Sequence, residues 1–508
     1  GYNEAIHSLL DDRALPAELL DTPLAAATLE DADALRREIW RAAQAHPGEA
    51  VRSRFLARWP TEGSFDRWAF REFLTLNPDE SFTRVIGIDV LPPEAGPPTI
   101  RALLTGGARH PDDDRRNRDR FAYDAARKLR FDPWGNPLPA DPAQLDMGPL
   151  RGSASQAHAH YGLPKIPFTD DPDVLKKEPR RFAYPPTAKA FAPEFAQIFT
   201  DLAICAATLG RPGGPMLGWL FLGNSHHYIE DVANQIHTLQ AIYGFFYDAK
   251  LESYKEELRS IGGFLRSRPT FVSIGIQIIK NHHLLDEDLF AKRVREHLAG
   301  QAGPPAVADA LAAITKGDGA LEQAFDARKV GPDDPFGRAI TEEIIEAGSG
   351  EGGEVYELIR SLAKGKLSRV EGRFTGSDDP DAFLVAHPNQ AKLERFYRLQ
   401  GAGFARAGSA LRRHVRLYQS VIKSARVDEA ARQARFQASA RRLVATQVVM
   451  LDARDERLAR FVPRPPRKEE KNWRVPLGML GFLLLFVGGP AWLIRRRRRR
   501  KRTRLAVA

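Results

Sequence analysis

Cysteine is nearly absent from this chain, because Cys205 is the only one among 508 residues. A single thiol cannot form an intramolecular disulfide or supply a Cys-x-x-Cys metal or redox motif. Any metal site must therefore use histidine and carboxylate side chains. The sequence also lacks a GxSxG nucleophile elbow and a P-loop, so neither motif provides an alternative chemistry.

Net positive charge is absent outside the C-terminal part, although the formal net charge of the chain is +10. Residues 464–508 contain 14 basic and two acidic side chains, a net charge of +12, and the other 463 residues carry −2. The high isoelectric point therefore does not come from a basic nucleic-acid-binding body. We expect no stable nucleic-acid partner.

One long apolar run is present. Residues 475–494, VPLGMLGFLLLFVGGPAWLI, contain no charge, and 20 helical residues match a hydrocarbon core of about 30 Å. Trp473 and Trp492 lie near its ends, and the basic segment 495–508 follows. We predict a single-pass protein of a bacterial cell membrane, with a cytoplasmic C-terminus and an exported head on the periplasmic or extracellular face.

Helical periodicity dominates the rest of the sequence, which predicts an all-α fold. Residues 77–192 are rich in Pro, Asp, Arg and Gly and predict long irregular segments. The predicted helices are Leu29–Ala43, Pro193–Leu209, Met216–Ile261, Asp286–Ala299, Pro335–Ala347, Ala391–Arg406 and Asp428–Phe461.

The domain organisation predicted from these patterns has five parts. An N-terminal domain spans 1–300, and a helical accessory region that ends in a solvated stalk spans 301–463. A Pro-rich linker (464–474), the transmembrane helix (475–494) and the basic tail (495–508) follow. The glycine-rich segment 348–353, GSGEGG, predicts a hinge or turn, and no Lys-Ser/Thr follows it in the place that a phosphate loop requires.

Histidines and carboxylates four residues apart are the main chemical signal. His227 and Asp231 share one face of a helix and could hold the same ion, with His226 as the alternative to His227. His237 follows Asp231 by six positions, which a straight helix places on a different side, where it could serve a second ion.

A second helical pair consists of His283 and Glu287, with His282 and Asp286 as the alternative. Two such pairs supply the three or four ligands that a metal ion needs. Other candidates lie in the loop-rich part and near the chain start: His7, Asp112, Asp113, Asp114, His158 and His160.

The order and spacing of these residues resemble the trinuclear-zinc superfamily of bacterial zinc-dependent phospholipases C and fungal single-strand nucleases. That family has an all-α domain, and the specific part of the match is the His227-x3-Asp231-x5-His237 motif. The resemblance covers roughly residues 1–300 and includes Gly107 to Asp112. The family begins with Trp where this chain has Gly1, and Ala241–Phe264 must form an insertion.

The resemblance implies a ligand set for up to three zinc ions. The ligands are Asp112 (alternative Asp113), His160 (alternative His158), His227 and Asp231 for one ion; His237, His283 and Glu287 for a second; and Asp231, His7 and the amine and carbonyl of the N-terminal residue for a third.

Zinc lowers the pKa of bound water to about 7, so a zinc-bound hydroxide can attack phosphorus near neutral pH. Asp112 is the candidate catalytic residue that orients or deprotonates this water. We predict a membrane-anchored, exported, phospholipase C-like phosphodiesterase that acts on a phospholipid or another phosphodiester.

The same residues are consistent with two alternative functions. A single-strand nuclease of the same superfamily would need aromatic side chains for base stacking, and Phe245, Phe246 and Tyr247 are candidates. A catalytically inactive, zinc-stabilised domain would act instead as a surface binding module.

Overall fold

The computed structural model describes residues 4–66, 70, 97–109, 111, 162, 192–238, 271–363 and 379–461. For residues 4, 271–283 and 453–461 it describes the backbone. Within these ranges the chain forms helices and short 3₁₀ turns without a β-strand, which confirms the all-α fold. The helices are α1 (Glu4–Ala14), α2 (Ala17–Leu20), α3 (Leu29–Gln44), α4 (Glu49–Arg58), α5 (Ile100–Arg109), α6 (Ala192–Ala207), α7 (Gly214–Ala233), α8 (Phe271–Leu298), α9 (Pro305–Lys316), α10 (Gly319–Arg328), α11 (Phe336–Ala363), α12 (Gln390–Ala425) and α13 (Glu429–Phe461).

Helix α7 is the central element of the bundle. Every residue of this helix except Pro215 is buried, and α1, α5, α6, α11 and α12 all pack against it. A helix that is covered on all sides must be apolar or must satisfy its polar side chains inside the protein. The neighbouring helices must therefore supply hydrogen-bond or ion-pair partners for the polar side chains of α7.

Helices α5 and α7 cross at backbone contact. A Cβ atom on Gly107 would overlap the backbone oxygen of Leu220 and would lie 2.9 Å from the Cα of Gly223. A Cβ on Gly223 would lie 2.6 Å from the backbone oxygen of Leu104. Only glycine allows this approach, and it brings the C-terminal turn of α5 close to α7.

Helix α5 lies inside the region for which the sequence predicted irregular structure. Its ten residues form a helix that buries Ile100, Leu103 and Leu104. The prediction of an irregular segment is therefore wrong at these positions. Two consecutive glycines, Gly106 and Gly107, lower the helix propensity of this segment and hide the helix in the sequence. Packing against α7 stabilises the helix despite this low propensity.

Helix α11 continues through the glycine-rich segment 348–353, where the sequence predicted a hinge or turn. That prediction is wrong. Gly348 and Gly352 are buried and face the segment that follows α7, whereas a Cβ on Gly350 would meet no atom within 4 Å. The buried glycines therefore allow close packing within an unbroken helix.

Helix α13 packs on α6, α3 and α4. It buries Phe436, Leu443, Val444 and Met450, whereas the sequence predicted a solvated stalk here. The many charged side chains of this segment occupy the outer face and obscure the buried stripe.

Helices that follow residue 300 pack directly on helices that precede it. Both α9 and α12 contact α1, and α11 contacts α6. The described helices belong to one unit that ends at Phe461. A functional boundary near residue 300 stays a prediction.

None of the helices in the described ranges is long and apolar enough to cross a membrane. The predicted linker (464–474), transmembrane helix (475–494) and tail (495–508) lie outside the described residues.

Replacing Gly107 with Ala should lower the free energy of unfolding by about 1–3 kcal/mol, because the added methyl group forces α5 away from α7. Gly106→Ala is the matched control, since a Cβ at this neighbouring helical position meets no atom within 4 Å. It should raise the stability by up to about 1 kcal/mol. Equal stability of the two variants in urea unfolding would show that the helices do not touch at Gly107.

Candidate metal centre

Three side chains from α1 and α7 form a group that could hold a metal ion. His7, His227 and Asp231 are completely buried, and one ligand atom from each lies within 4.8 Å of the others. His227 Nε2 is 3.1 Å from Asp231 Oδ2, and His7 Nε2 is 3.4 Å from Asp231 Oδ1. The two imidazole rings stack with their centroids 4.4 Å apart.

These separations fit the coordination of zinc. Zinc binds nitrogen and oxygen ligands at about 2.0–2.2 Å, so two ligands of one tetrahedral ion lie about 3.3 Å apart. Both nitrogen–oxygen distances in the group are close to this value. Imidazole and carboxylate are also ligands that zinc prefers.

The hydrogen bond on the far side of His227 fixes its tautomer. Nδ1 of His227 lies 2.7 Å from the carbonyl oxygen of Ala108, and because a carbonyl oxygen only accepts, Nδ1 carries the proton. In a neutral imidazole the lone pair of Nε2 then faces the carboxylate of Asp231. A metal cation or a second proton on His227 removes the resulting repulsion. The close crossing of α5 and α7 places Ala108 for this contact.

Glu230 contacts the corresponding ring nitrogen of His7. Its Oε2 lies 2.6 Å from Nδ1 of His7, and both side chains are completely buried. When Nδ1 donates to this carboxylate, Nε2 presents its lone pair toward Asp231. A carboxylate on the outer nitrogen of a histidine is a common support for a metal ligand, since it orients the ring and raises its basicity.

Two buried carboxylates beside this centre, Asp11 and Glu230, pair with histidines in the described part of the chain. Neither Asp11 nor Glu230 forms an ion pair with a lysine or an arginine there, whereas the buried Asp201 pairs with Arg442 at 2.7 Å. Burial raises the pKa of Glu230 well above its usual range, and the charges of Asp11 and Asp231 raise this pKa further. A cation near these carboxylates would offset the cost of burying them.

His226 belongs to a separate buried cluster. Its Nδ1 lies 2.6 Å from Asp11 Oδ1, and its ring centroid is 5.1 Å from that of His414. His414 in turn hydrogen-bonds Thr200 at 2.8 Å. Burial lowers the pKa of His414 well below its usual range. Of the two histidines that the sequence left as alternatives, the structure brings His227 to Asp231 and His226 to Asp11.

His237 lies beyond the end of α7. The helix ends at Ala233, and residues Gln235–His237 form a 3₁₀ turn, which we call the His237 turn. His237 Nε2 is 3.3 Å from Oε1 of Glu287 on α8, again close to the ligand separation of a tetrahedral zinc ion. The chain thus brings together two members of the ligand set predicted for the second ion.

Asp286, the alternative to Glu287, has different partners. It accepts hydrogen bonds from Asn234 Nδ2 at 2.6 Å and from Gln400 Nε2 at 3.0 Å. Burial raises the pKa of Asp286 to about 7, Glu287 adds to this shift, and the hydrogen bonds oppose it.

For several predicted site residues, either the whole residue or its side chain lies outside the part of the chain that the structure describes. Asp112 follows Ala108 by four positions, and His160 precedes Gly162 by two. Gly162 donates a backbone hydrogen bond to the carbonyl of His237 at 2.9 Å. The residues concerned are Asp112, Asp113, Asp114, His158, His160, Phe245, Phe246, Tyr247 and the side chains of His282 and His283.

Asp11, Glu230 and His414 were not predicted as site residues from the sequence. A signal existed for the first two, because His7-x3-Asp11 and His226-x3-Glu230 have the same four-residue spacing as His227-x3-Asp231. For His414 there was none, since it lies alone on α12 and reaches the cluster only through the tertiary fold.

Comparisons of this chain with protein-family models, with curated proteins and with solved structures gave no match. The fold and the site therefore define the protein as a class: an all-α protein with a buried His/Asp group that could hold a metal ion.

Replacing His227 with Asn should remove bound zinc, because the variant loses one of the three ligands of the group. His226→Asn is the matched control, since His226 is the adjacent, equally buried histidine and bonds Asp11 instead. Elemental analysis of both folded proteins after dialysis gives the zinc content per chain. A full zinc content in His227→Asn, or an equal loss in the two variants, would contradict this assignment.

Proposed function

We propose that this protein is a zinc-dependent phosphodiesterase of the phospholipase C type. The observation that carries the proposal is the convergence of two imidazoles, each oriented through its Nδ1, on the buried carboxylate of Asp231. The resemblance to the trinuclear-zinc superfamily assigns zinc ligation to the same three residues. It also assigns His237 and Glu287, which lie 3.3 Å apart.

Asp231 is the proposed shared ligand of the centre. Its two oxygens face different imidazoles, Oδ1 facing His7 and Oδ2 facing His227. This arrangement supports either one ion held by all three side chains or two ions bridged by the carboxylate, as the resemblance implies. The zinc content per chain of a His237→Asn variant, which removes a ligand of the ion proposed at His237 and Glu287, distinguishes the two cases.

When bound, zinc supplies Lewis acidity and lowers the pKa of its water to about 7. The protein's own groups fix the geometry: Ala108 and Glu230 hold the rings of His227 and His7 in orientation. Complete burial strengthens each of these electrostatic interactions, because the surroundings screen charge weakly. Asp112 is the proposed residue that orients or deprotonates the attacking water.

The proposed substrate class is a phospholipid or another phosphodiester at a membrane surface. The apolar segment 475–494 would anchor the protein, with the head outside and the basic tail 495–508 in the cytoplasm. The net charge of −2 on residues 1–463 gives no general attraction for a polyanion such as DNA.

A structural zinc ion is the second candidate function, and complete burial of His7, His227 and Asp231 favours it. Structural zinc sites are closed to solvent, whereas catalytic sites keep a position open for water or substrate. In this case the protein would be a zinc-stabilised binding module.

The purified, zinc-loaded chain should hydrolyse a phosphatidylcholine analogue, lose this activity with a chelator and regain it with added zinc. Asp231→Asn should lower turnover at least about 100-fold, because about 2.7 kcal/mol or more of transition-state stabilisation is lost. Glu357→Gln, which neutralises an exposed carboxylate on α11, is the control and should keep wild-type turnover.

Three other outcomes would replace the proposal. Cleavage of single-stranded DNA without lipid hydrolysis would assign a nuclease. No hydrolysis of either substrate, together with a lower melting temperature after chelation, would assign the structural role. Full activity and full zinc content in a folded Asp231→Asn variant would contradict zinc binding at this group.

A further inference from the structure

Helices α11 and α12 hold the His237 turn, although residues 301–461 carry no ligand pattern in the sequence. We propose that these two helices set the position of His237 relative to Glu287, and that Gly352 and Gln235 are positioning residues for a zinc ion at this pair. The inference rests on the proposed function in one respect, namely that the His237–Glu287 pair binds an ion.

The backbone of α11 forms the surface on which the turn rests. A Cβ atom on Gly352 would overlap Oγ1 of Thr238 and would lie 2.7 Å from the backbone oxygen of Gln235. One turn earlier, a Cβ on Gly348 would lie 3.8 Å from Cγ of Gln235. Any side chain larger than hydrogen at position 352 must therefore displace the turn or the helix.

Gln235 connects the turn to both helices at once. Its buried Nε2 donates to Oε2 of Glu351 on α11 at 2.8 Å and to the carbonyl oxygen of Leu399 on α12 at 2.6 Å. The other carboxylate oxygen of Glu351 accepts a hydrogen bond from Arg406 of α12 at 2.7 Å. The turn is thus fixed between two helices that are themselves joined beside it.

Glu287, the partner of His237, is held in place through the adjacent residue Asp286. Asn234, which precedes the turn, donates to one oxygen of Asp286, and Gln400 of α12 donates to the other. Both amide donors are buried. Consequently α12 holds α8 and the His237 turn in one hydrogen-bonded network, and this network sets the separation of His237 and Glu287.

The face of α11 that carries Gly348 and Gly352 also contacts Gly162, through Ile345. A Cβ on Gly162 would overlap the side chain of Ile345, and Gly162 pairs through its backbone with the His237 turn. Gly162 follows the predicted ligand His160 by two positions. A shift of α11 would therefore be transmitted to two segments that carry proposed ligands.

Core packing without a metal would produce similar contacts. The test therefore measures zinc binding separately from the stability of the fold. Gly352→Ala and Gly350→Ala make the same chemical change two residues apart in one helix. Only the first places its methyl group against the turn, since a Cβ on Gly350 meets no atom within 4 Å. Gln235→Met is a second test variant of similar side-chain size that removes both hydrogen bonds and adds no bulk at the turn.

Zinc affinity is measured on the full chain by competition with a chromophoric chelator, and the absorption spectrum of the cobalt-loaded protein reports ligand geometry. The ion bound at His237 and Glu287 is identified as the one that the His237→Asn variant loses. Gly352→Ala and Gln235→Met should each lower the affinity for that ion about 10–100-fold, which is the range for loss of a supporting contact around a metal ligand. Both variants should also change the cobalt spectrum. Gly350→Ala should match the wild type in both measurements.

Wild-type affinity and spectrum in a folded Gly352→Ala or Gln235→Met variant would overturn the inference and leave the proposed function intact. If Gly352→Ala does not fold, Gln235→Met decides the matter alone. If His237→Asn loses no ion relative to the wild type, the pair binds none, and both the inference and the second ion of the proposed function fail.

Discussion

The cost of burying carboxylates on a fully covered helix is the constraint on which the rest of this structure depends. Helix α7 carries Glu230 and Asp231 into the core, where acidic groups are rarely tolerated unless paired. Asp201 shows the usual solution, an ion pair with arginine. On α7 the described partners are imidazoles instead, and imidazoles bring a cation-binding lone pair along with their hydrogen bond. A cation bound by His7, His227 and Asp231 would offset part of this charge.

The surrounding helices supply what the buried groups on α7 need. Two glycines let α5 approach until the carbonyl of Ala108 reaches His227. Helix α1 meets α7 through two reciprocal contacts, His7 with Glu230 and Asp11 with His226, so each helix gives one histidine and one carboxylate. The long helices α11 and α12 cover the end of α7, where the chain turns toward His237. The region that follows residue 300 thus packs around this end of α7.

Local patterns in the sequence predicted some of these features and could not predict others. The four-residue spacing of His227 and Asp231 identified a true neighbour pair, because helical geometry alone determines it. The contact of His7 with the same carboxylate was implied only by the family resemblance, since it joins residues 224 positions apart. The unbroken helix at Gly352 and the place of His414 depend on tertiary packing, which no local pattern encodes. Periodicity predicted seven of the helices at least in part, and it extended the helix at Met216 to Ile261 although α7 ends at Ala233. The helix crossings depend on glycines that sequence propensity treats as breaks.

Zinc K-edge X-ray absorption on the zinc-loaded protein tests the central claim most directly, because it detects the ligands of the ion itself. The account predicts a first shell of nitrogen and oxygen atoms at about 2.0–2.2 Å without sulfur, together with the outer-shell scattering of imidazole rings. In His227→Asn the imidazole contribution should fall, and in His226→Asn it should stay as in the wild type. A six-oxygen shell without imidazole scattering, or no zinc retained after dialysis, would contradict a metal centre at His7, His227 and Asp231.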